Sequence, residues 1–322
     1  MRPFFAFLFL LLALASGCAR RDTSAPPTER QRQIARLQDF SQEKGMPRTG
    51  NFRRADPHRS AYYLCYSTGK WELPEDYNGL RYKESNEHGC RIDTEKYDVY
   101  FHRVEAVAMV NTPVTQSLEA ASDERALMVA AHEEAHEDPQ LRRFPAEVAE
   151  SATTLLGVLT AAEFAMRDGD TATATHLSED ARTFSRKAEA VNALHAKLRA
   201  LYEAHRAGRR GRTATAAEKE RLFAEHASAC KAFGNAYSIN PCLPASNNAG
   251  LAFDHTYTRA YPLLYALFEA SHSDLDVFLG TLRKIGEQLS AKGSQGRRAD
   301  EAERRIREAI DYAVPGRPKN MP

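Results

Sequence analysis

Between Ala172 and His205 an apolar position recurs every seven residues, at Leu177, Phe184, Val191 and Leu198, and each is followed four residues later by Ala181, Ala188, His195 or Tyr202. Spacings of seven and four put all of these on one face of an α-helix. So long a seam must be buried against other helices, because a single helix has nothing of its own to cover it. The rest of the chain supplies candidates. From Thr94 onward Gly and Pro are sparse, Ala is abundant, and apolar residues recur at helical spacing, which predicts helices over 94–111, 113–137, 140–167, 171–206, 214–234, 256–271, 273–291 and 298–313. Pro113 and Pro145 suit first turns, and Asp168-Gly169-Asp170 ends one helix and caps the next. Asn235 to Gly250, with Pro241 and Pro244, is the longest irregular break. The expected fold class is all-α, a helical bundle over 94–314 followed by a disordered tail over 315–322.

Residues 52–93 have a different character. Tyr62, Tyr63, Tyr66, Tyr77 and Tyr82 gather there with the single Trp71, and Tyr97 and Tyr100 follow just beyond, among turn formers at 66–70 and 84–89. This reads as an irregular aromatic flap packed on the bundle by its rings. Four cysteines lie in the body, Cys65, Cys90, Cys230 and Cys242. Three pairings are open; the shortest loops favour Cys65 with Cys90, closing the flap, and Cys230 with Cys242, pinning the irregular break.

The first residues say where such disulfides would form. Arg2 precedes an apolar run from Phe4 to Ala15 that is too short to span a bilayer and reads as a signal-peptide core. Leu14 is followed by Ala15-Ser16-Gly17-Cys18, which resembles the lipobox of bacterial lipoproteins. The resemblance implies cleavage after residue 17, lipidation of Cys18 and, with Ala19 next to it, an outer-membrane anchor facing the periplasm. Residues 18–51, broken by Pro26, Pro27, Gly45, Pro47 and Gly50, are expected to be a tether whose one ordered candidate is a short helix from Thr28 to Glu43. A net charge of +1, from 44 basic and 43 acidic residues, leaves no field that would favour nucleic acid. The absence of G-x-x-x-x-G-K-[ST] and G-x-G-x-x-G leaves nucleotide binding without support, and no G-x-S-x-G elbow marks a serine nucleophile.

Two patterns carry chemistry. His132-Glu133-Glu134-Ala135-His136 fits H-E-x-x-H, in which two imidazoles one turn apart hold zinc and the Glu acts on water. It resembles the zincin peptidases over five residues, which implies His132 and His136 as ligands, Glu133 as the catalytic base, and a third ligand for which Glu147 and Glu150 are the nearby candidates. The acidic neighbours Glu134, Glu137 and Asp138 point the other way, to a solvated helix end in front of Pro139. The second pattern pairs Glu133-x-x-His136 with Glu269-x-x-His272, and resembles the ferritin-like di-iron bundles, with Glu105, Glu119, Glu163 or Glu189 to complete the set. The address is clearer than the activity. The expected role is a lipid-anchored helical binding or scaffold protein of the envelope, without a cofactor, acting on an unknown envelope protein or ligand. The alternatives are a zinc hydrolase centred on His132, Glu133 and His136, and a di-metal bundle.

Overall fold

Thr28 opens the first helix with a capping box, its hydroxyl accepting from the Gln31 amide while the Gln31 side chain accepts from the Thr28 amide. In the computed structural model, which describes residues 26–107, 111–234, 236–239, 246–289 and 295–313, this helix is α1 (Glu29–Glu43). Ile34, Leu37 and Phe40, three residues apart, enter the main core. The tether expected over 18–51 is therefore corrected here: its apolar stripe has a place to go. The expected leader over 1–17, Cys18, Cys242 and the expected tail over 315–322 lie outside the described residues.

Three strands follow, β1 (Tyr62–Gly69), β2 (Arg81–Glu84) and β3 (Tyr97–Val104), in one antiparallel sheet ordered β2-β1-β3. Tyr66 stands opposite both Tyr82 and Tyr100. The Cys65–Cys90 disulfide joins β1 to the loop before β3, as the shortest-loop pairing expected. Cys230 is also disulfide-bonded. The strand β3 replaces the helix expected over 94–111. Its pattern was obscured because Asp98 points inward, 3% exposed, where Lys219 and Lys70 meet its carboxylate at 2.6 and 3.2 Å.

The helices then run α2 (Gln116–Glu119), α3 (Asp123–Ala135), α4 (Ala146–Arg167), α5 (Thr171–Arg206), α6 (Arg212–Cys230), α7 (Asn248–Thr258), α8 (Tyr261–Ala270), α9 (Leu275–Gln288) and α10 (Gln295–Ala313). The fold class is the expected helical bundle with a small disulfide-closed flap. α5 keeps both expected ends, and its seam is buried at Leu177, Ala181, Phe184, Ala188, Val191, His195, Leu198 and Tyr202. α7 lies within what read as a break and the following helix: Asn247 caps it by accepting from the Gly250 amide, and it is buried on nearly every side. α4 lies between α3 and α5, and α7 packs on α4, α5 and the sheet. Tyr66, Tyr77 and Tyr100 of the flap gather around Phe253 of α7, with ring centroids 5.0 to 6.4 Å apart. The flap is thus fixed to the body through its rings, beside the junction of α3, α4 and α7.

Candidate metal centre and adjoining cavity

Ser122 accepts from the Arg125 amide and Asp123 and Glu124 occupy the first turn, so α3 starts with a side-chain cap and charges that suit its dipole. His132 and His136, four residues apart, come off one face at its end. Glu150 comes from the second turn of α4, which follows Pro145. The two helices approach closely at Gly157, where a Cβ would sit 3.0 Å from the Cβ and the amide nitrogen of His132 and from the carbonyl oxygen of Met128.

The result is a three-atom cluster. His132 Nε2 and His136 Nε2 are 3.1 Å apart, and Glu150 Oε2 is 3.6 Å from the first and 3.3 Å from the second. Ligands about 2.0–2.1 Å from a tetrahedral zinc stand roughly 3.3 Å from one another, so these atoms already hold the spacing of such a site. Glu150 Oε2 is buried and meets only the two imidazoles, whereas Oε1 accepts from the Tyr77 hydroxyl at 3.0 Å. One carboxylate oxygen is tied to the flap and the other is left for a cation, the arrangement that orients a ligating carboxylate. Burial, with His136 adding to it, pushes the His132 imidazole down to about 3. Burial also opposes charge on the other two, but Glu150 raises His136 above its ordinary value and His136 holds Glu150 below its own. The proton of the trio therefore rests on His136, in exchange for which a divalent cation would bind.

Glu133 lies beside this cluster, 6% exposed, with Oε2 buried and unpartnered. Burial and the charge of Glu150, only partly offset by His136, push its carboxyl up to about 7. Both Glu133 and His132 line a cavity of ≈160 Å³, with Tyr257 and Asp254 from α7 and His102 from β3. Two ion pairs border it, Arg125 with Glu105 at 2.7 Å and Lys187 with Asp254 at 2.8 Å. Burial, with Arg125 adding to it, pushes His102 down to about 4, so it is neutral there.

The acidic neighbours of the motif do not mark a solvated end. Glu134 is 2% exposed and accepts from Gln38 at 2.9 Å and Thr49 at 2.5 Å; Asp138 is 2% exposed and meets Arg283 of α9 at 2.8 Å. Only Glu137 remains outward, paired with Arg142. Each buried charge has a partner from a distant part of the chain, which five residues of local sequence cannot show.

A family model described as "Putative aminopeptidase" matches residues 76–296, from the loop that carries Tyr77 to the start of α10. The chain belongs to that family. Comparison with curated proteins and with solved structures finds no match. Within this aminopeptidase-family chain His132, Glu133 and His136 are brought together as the motif requires. Glu150 rather than Glu147 joins them, Glu147 being paired with Arg259 at 3.4 Å. Glu269 and His272 are exposed at the far end of α8, in no cluster of ligands among the described residues, so the second E-x-x-H pair does not meet the first. His272 stands at φ 56° in the turn that ends the helix. Glu105, Glu119 and Glu163 are taken by Arg125, Thr28 and Lys44, and Glu189 is exposed. Another group, Glu75, His195 and His255, has ligand-type atoms within 4.8 Å, but its geometry is that of packing. The two rings stack in parallel at 3.8 Å, His195 Nε2 donates to the Pro74 carbonyl and His255 Nδ1 to that of Glu75, and the Glu75 carboxylate meets Arg199. In-plane lone pairs on parallel rings do not converge on one ion. Sequence reasoning missed Tyr77, Tyr257 and Asp254. The signal for Glu150 was its helical phase, since Thr153, Thr154 and Gly157 follow it on the same face and are small enough to admit α3.

Proposed function

We propose that the protein is a metal-dependent aminopeptidase in which His132, His136 and Glu150 hold a zinc ion and Glu133 is the general base. The observation that carries this reading is the trio of ligand atoms 3.1 to 3.6 Å apart with the buried, unpartnered Glu133 carboxylate beside it. Membership of the family, and a cavity lined by His132 and Glu133, favour an enzyme over the tethered scaffold expected from the sequence. A bound zinc ion supplies a Lewis acid that polarises the scissile carbonyl and acidifies water. Glu133, with a carboxyl near 7, takes the proton from the attacking water and returns it to the leaving amine. Tyr257 keeps its hydroxyl proton, because burial and the nearby Glu150 raise its pKa well above 10, and donates it as a hydrogen bond to the oxygen on which charge develops. Tyr77 fixes the Glu150 carboxylate from the flap.

The test is Glu133→Gln. Release of the terminal residue from a short peptide should fall by about 100-fold or more, the usual contribution of a general base, while zinc content stays that of the wild type. A variant that cleaves as fast as the wild type contradicts the assignment. The leader supports a second proposal, that the enzyme is anchored at Cys18 in the outer membrane facing the periplasm; no described helix is long and apolar enough to cross a membrane. Cys18→Ser should lose incorporated fatty acid and leave the membrane fraction, and a labelled, membrane-bound Cys18→Ser protein would refute the anchor.

A further inference from the structure

Three buried carboxylate oxygens have no ordinary hydrogen-bond donor: Glu150 Oε2, which faces only the two ligand imidazoles, and, on the cavity lining, Glu133 Oε2 and Asp254 Oδ2. The first is accounted for by a cation and the second by the attacking water. The third has no part in hydrolysis. Asp254 is 3% exposed on α7, and Lys187 of α5, itself 1% exposed, donates to its Oδ1 at 2.8 Å, while Oδ2 has no donor. A carboxylate offers two oxygens and about four acceptor sites, so Lys187 leaves half of this one unused. A buried acceptor left unsatisfied costs about 1–3 kcal/mol, and more when it is charged. Such a cost is retained where a ligand will offset it.

The position narrows the ligand. Asp254 and Tyr257 are three residues apart on α7, hence neighbours on one helix face, and the Tyr257 ring lies 6.5 Å from that of His132. A group held by Asp254 therefore lies in the same cavity that His132 and Glu133 line. The cavity, at ≈160 Å³, is smaller than the roughly 300–1,000 Å³ of ordinary ligand pockets and suits one terminal residue rather than a run of chain. In a peptide, the α-amine is two bonds from the carbonyl carbon of that residue. An ammonium brings three donors to an oxygen that has none.

We propose that Asp254, through Oδ2, binds the α-ammonium of the substrate's first residue and thereby restricts the site to chain ends. This rests on the hydrolase reading above and goes on to name the group that makes it an exopeptidase. Arg125 and Lys187 are already paired with Glu105 and Asp254, so neither offers an unshared charge to a substrate carboxylate.

The experiment compares leucine p-nitroanilide with its N-acetyl derivative on the zinc-loaded full chain, for the wild type, Asp254→Asn and the double variant Lys187→Met with Asp254→Asn. The wild type should prefer the free amine, and in Asp254→Asn that preference should shrink by about 10- to 100-fold, chiefly through KM, with zinc content retained. The double variant removes the buried pair as a unit, so it folds even where a lone Lys187 would not be tolerated, and it should lose the same preference. A folded, zinc-loaded double variant that still prefers the free amine overturns the proposal. So does a loss confined to substrates that begin with lysine, which would place a side-chain ammonium at Asp254 instead. A wild type that cleaves both substrates equally refutes the ammonium site while leaving the hydrolase reading intact, whereas a wild type that cleaves neither refutes both.

Discussion

His255 shows how a buried imidazole sets the acid limit of this fold. It stacks on His195 and donates to the Glu75 carbonyl, and burial together with His195 pushes its pKa from 6.5 down to about 3. Below about 6.5 the unfolded chain takes up a proton that the folded chain refuses, so stability is full above that pH and is lost progressively as the pH falls towards 3. The loss at pH 5 relative to pH 7.5 is about 2 kcal/mol for this residue. Urea unfolding at the two pH values should show it, and His255→Gln should reduce the difference by that amount; an unchanged difference would contradict the assignment. His102, pushed down to about 4, acts in the same direction. Residues of this kind are hard to read from sequence. The motif histidines were legible because a spacing of four is a property of one helix. Asp254 and Tyr77 were not, because their roles depend on Lys187 from another helix and on Glu150 from across the chain.

At the scale of elements, the centre depends on how closely α3 and α4 lie together. Gly157 has no side chain where a Cβ would meet His132 and Met128 at 3.0 Å, two of those contacts being to backbone atoms that cannot swing aside. Gly157→Val should therefore destabilise the fold by about 1–3 kcal/mol by overpacking and weaken zinc retention at the same time. Gly280 on α9 is the contrast, because a Cβ there would meet nothing within 4 Å, and Gly280→Ala should stabilise by up to about 1 kcal/mol. Urea titration distinguishes the two; a Gly157→Val protein as stable as the wild type would contradict the close approach. The long amphipathic helix α5 was legible to both ends, since half its surface is solvated and the period is plain. β3 was read as helix because its inward Asp98 breaks the alternation, and α7 was missed because a helix buried all round has no polar face to mark its period.

Across the whole molecule, the candidate metal centre is supported from both ends of the described chain. Glu134 accepts from Gln38 of α1 and Thr49, Asp138 is met by Arg283 of α9, and Tyr77 reaches Glu150 from the flap that the Cys65–Cys90 disulfide closes. The fold class and the flap disulfide were legible from composition and spacing, while the conversion of an apparent tether into the core helix α1 needed the partners that receive Ile34, Leu37 and Phe40. The same long-range partners explain why an acidic pentapeptide forms a buried site. Zinc content by elemental analysis of the purified wild type, beside Glu150→Gln, tests the central claim most directly. About one zinc per chain in the wild type, largely lost from a folded Glu150→Gln protein, is the expected result. A metal-free wild type, or a Glu150→Gln variant that keeps its zinc, would contradict it.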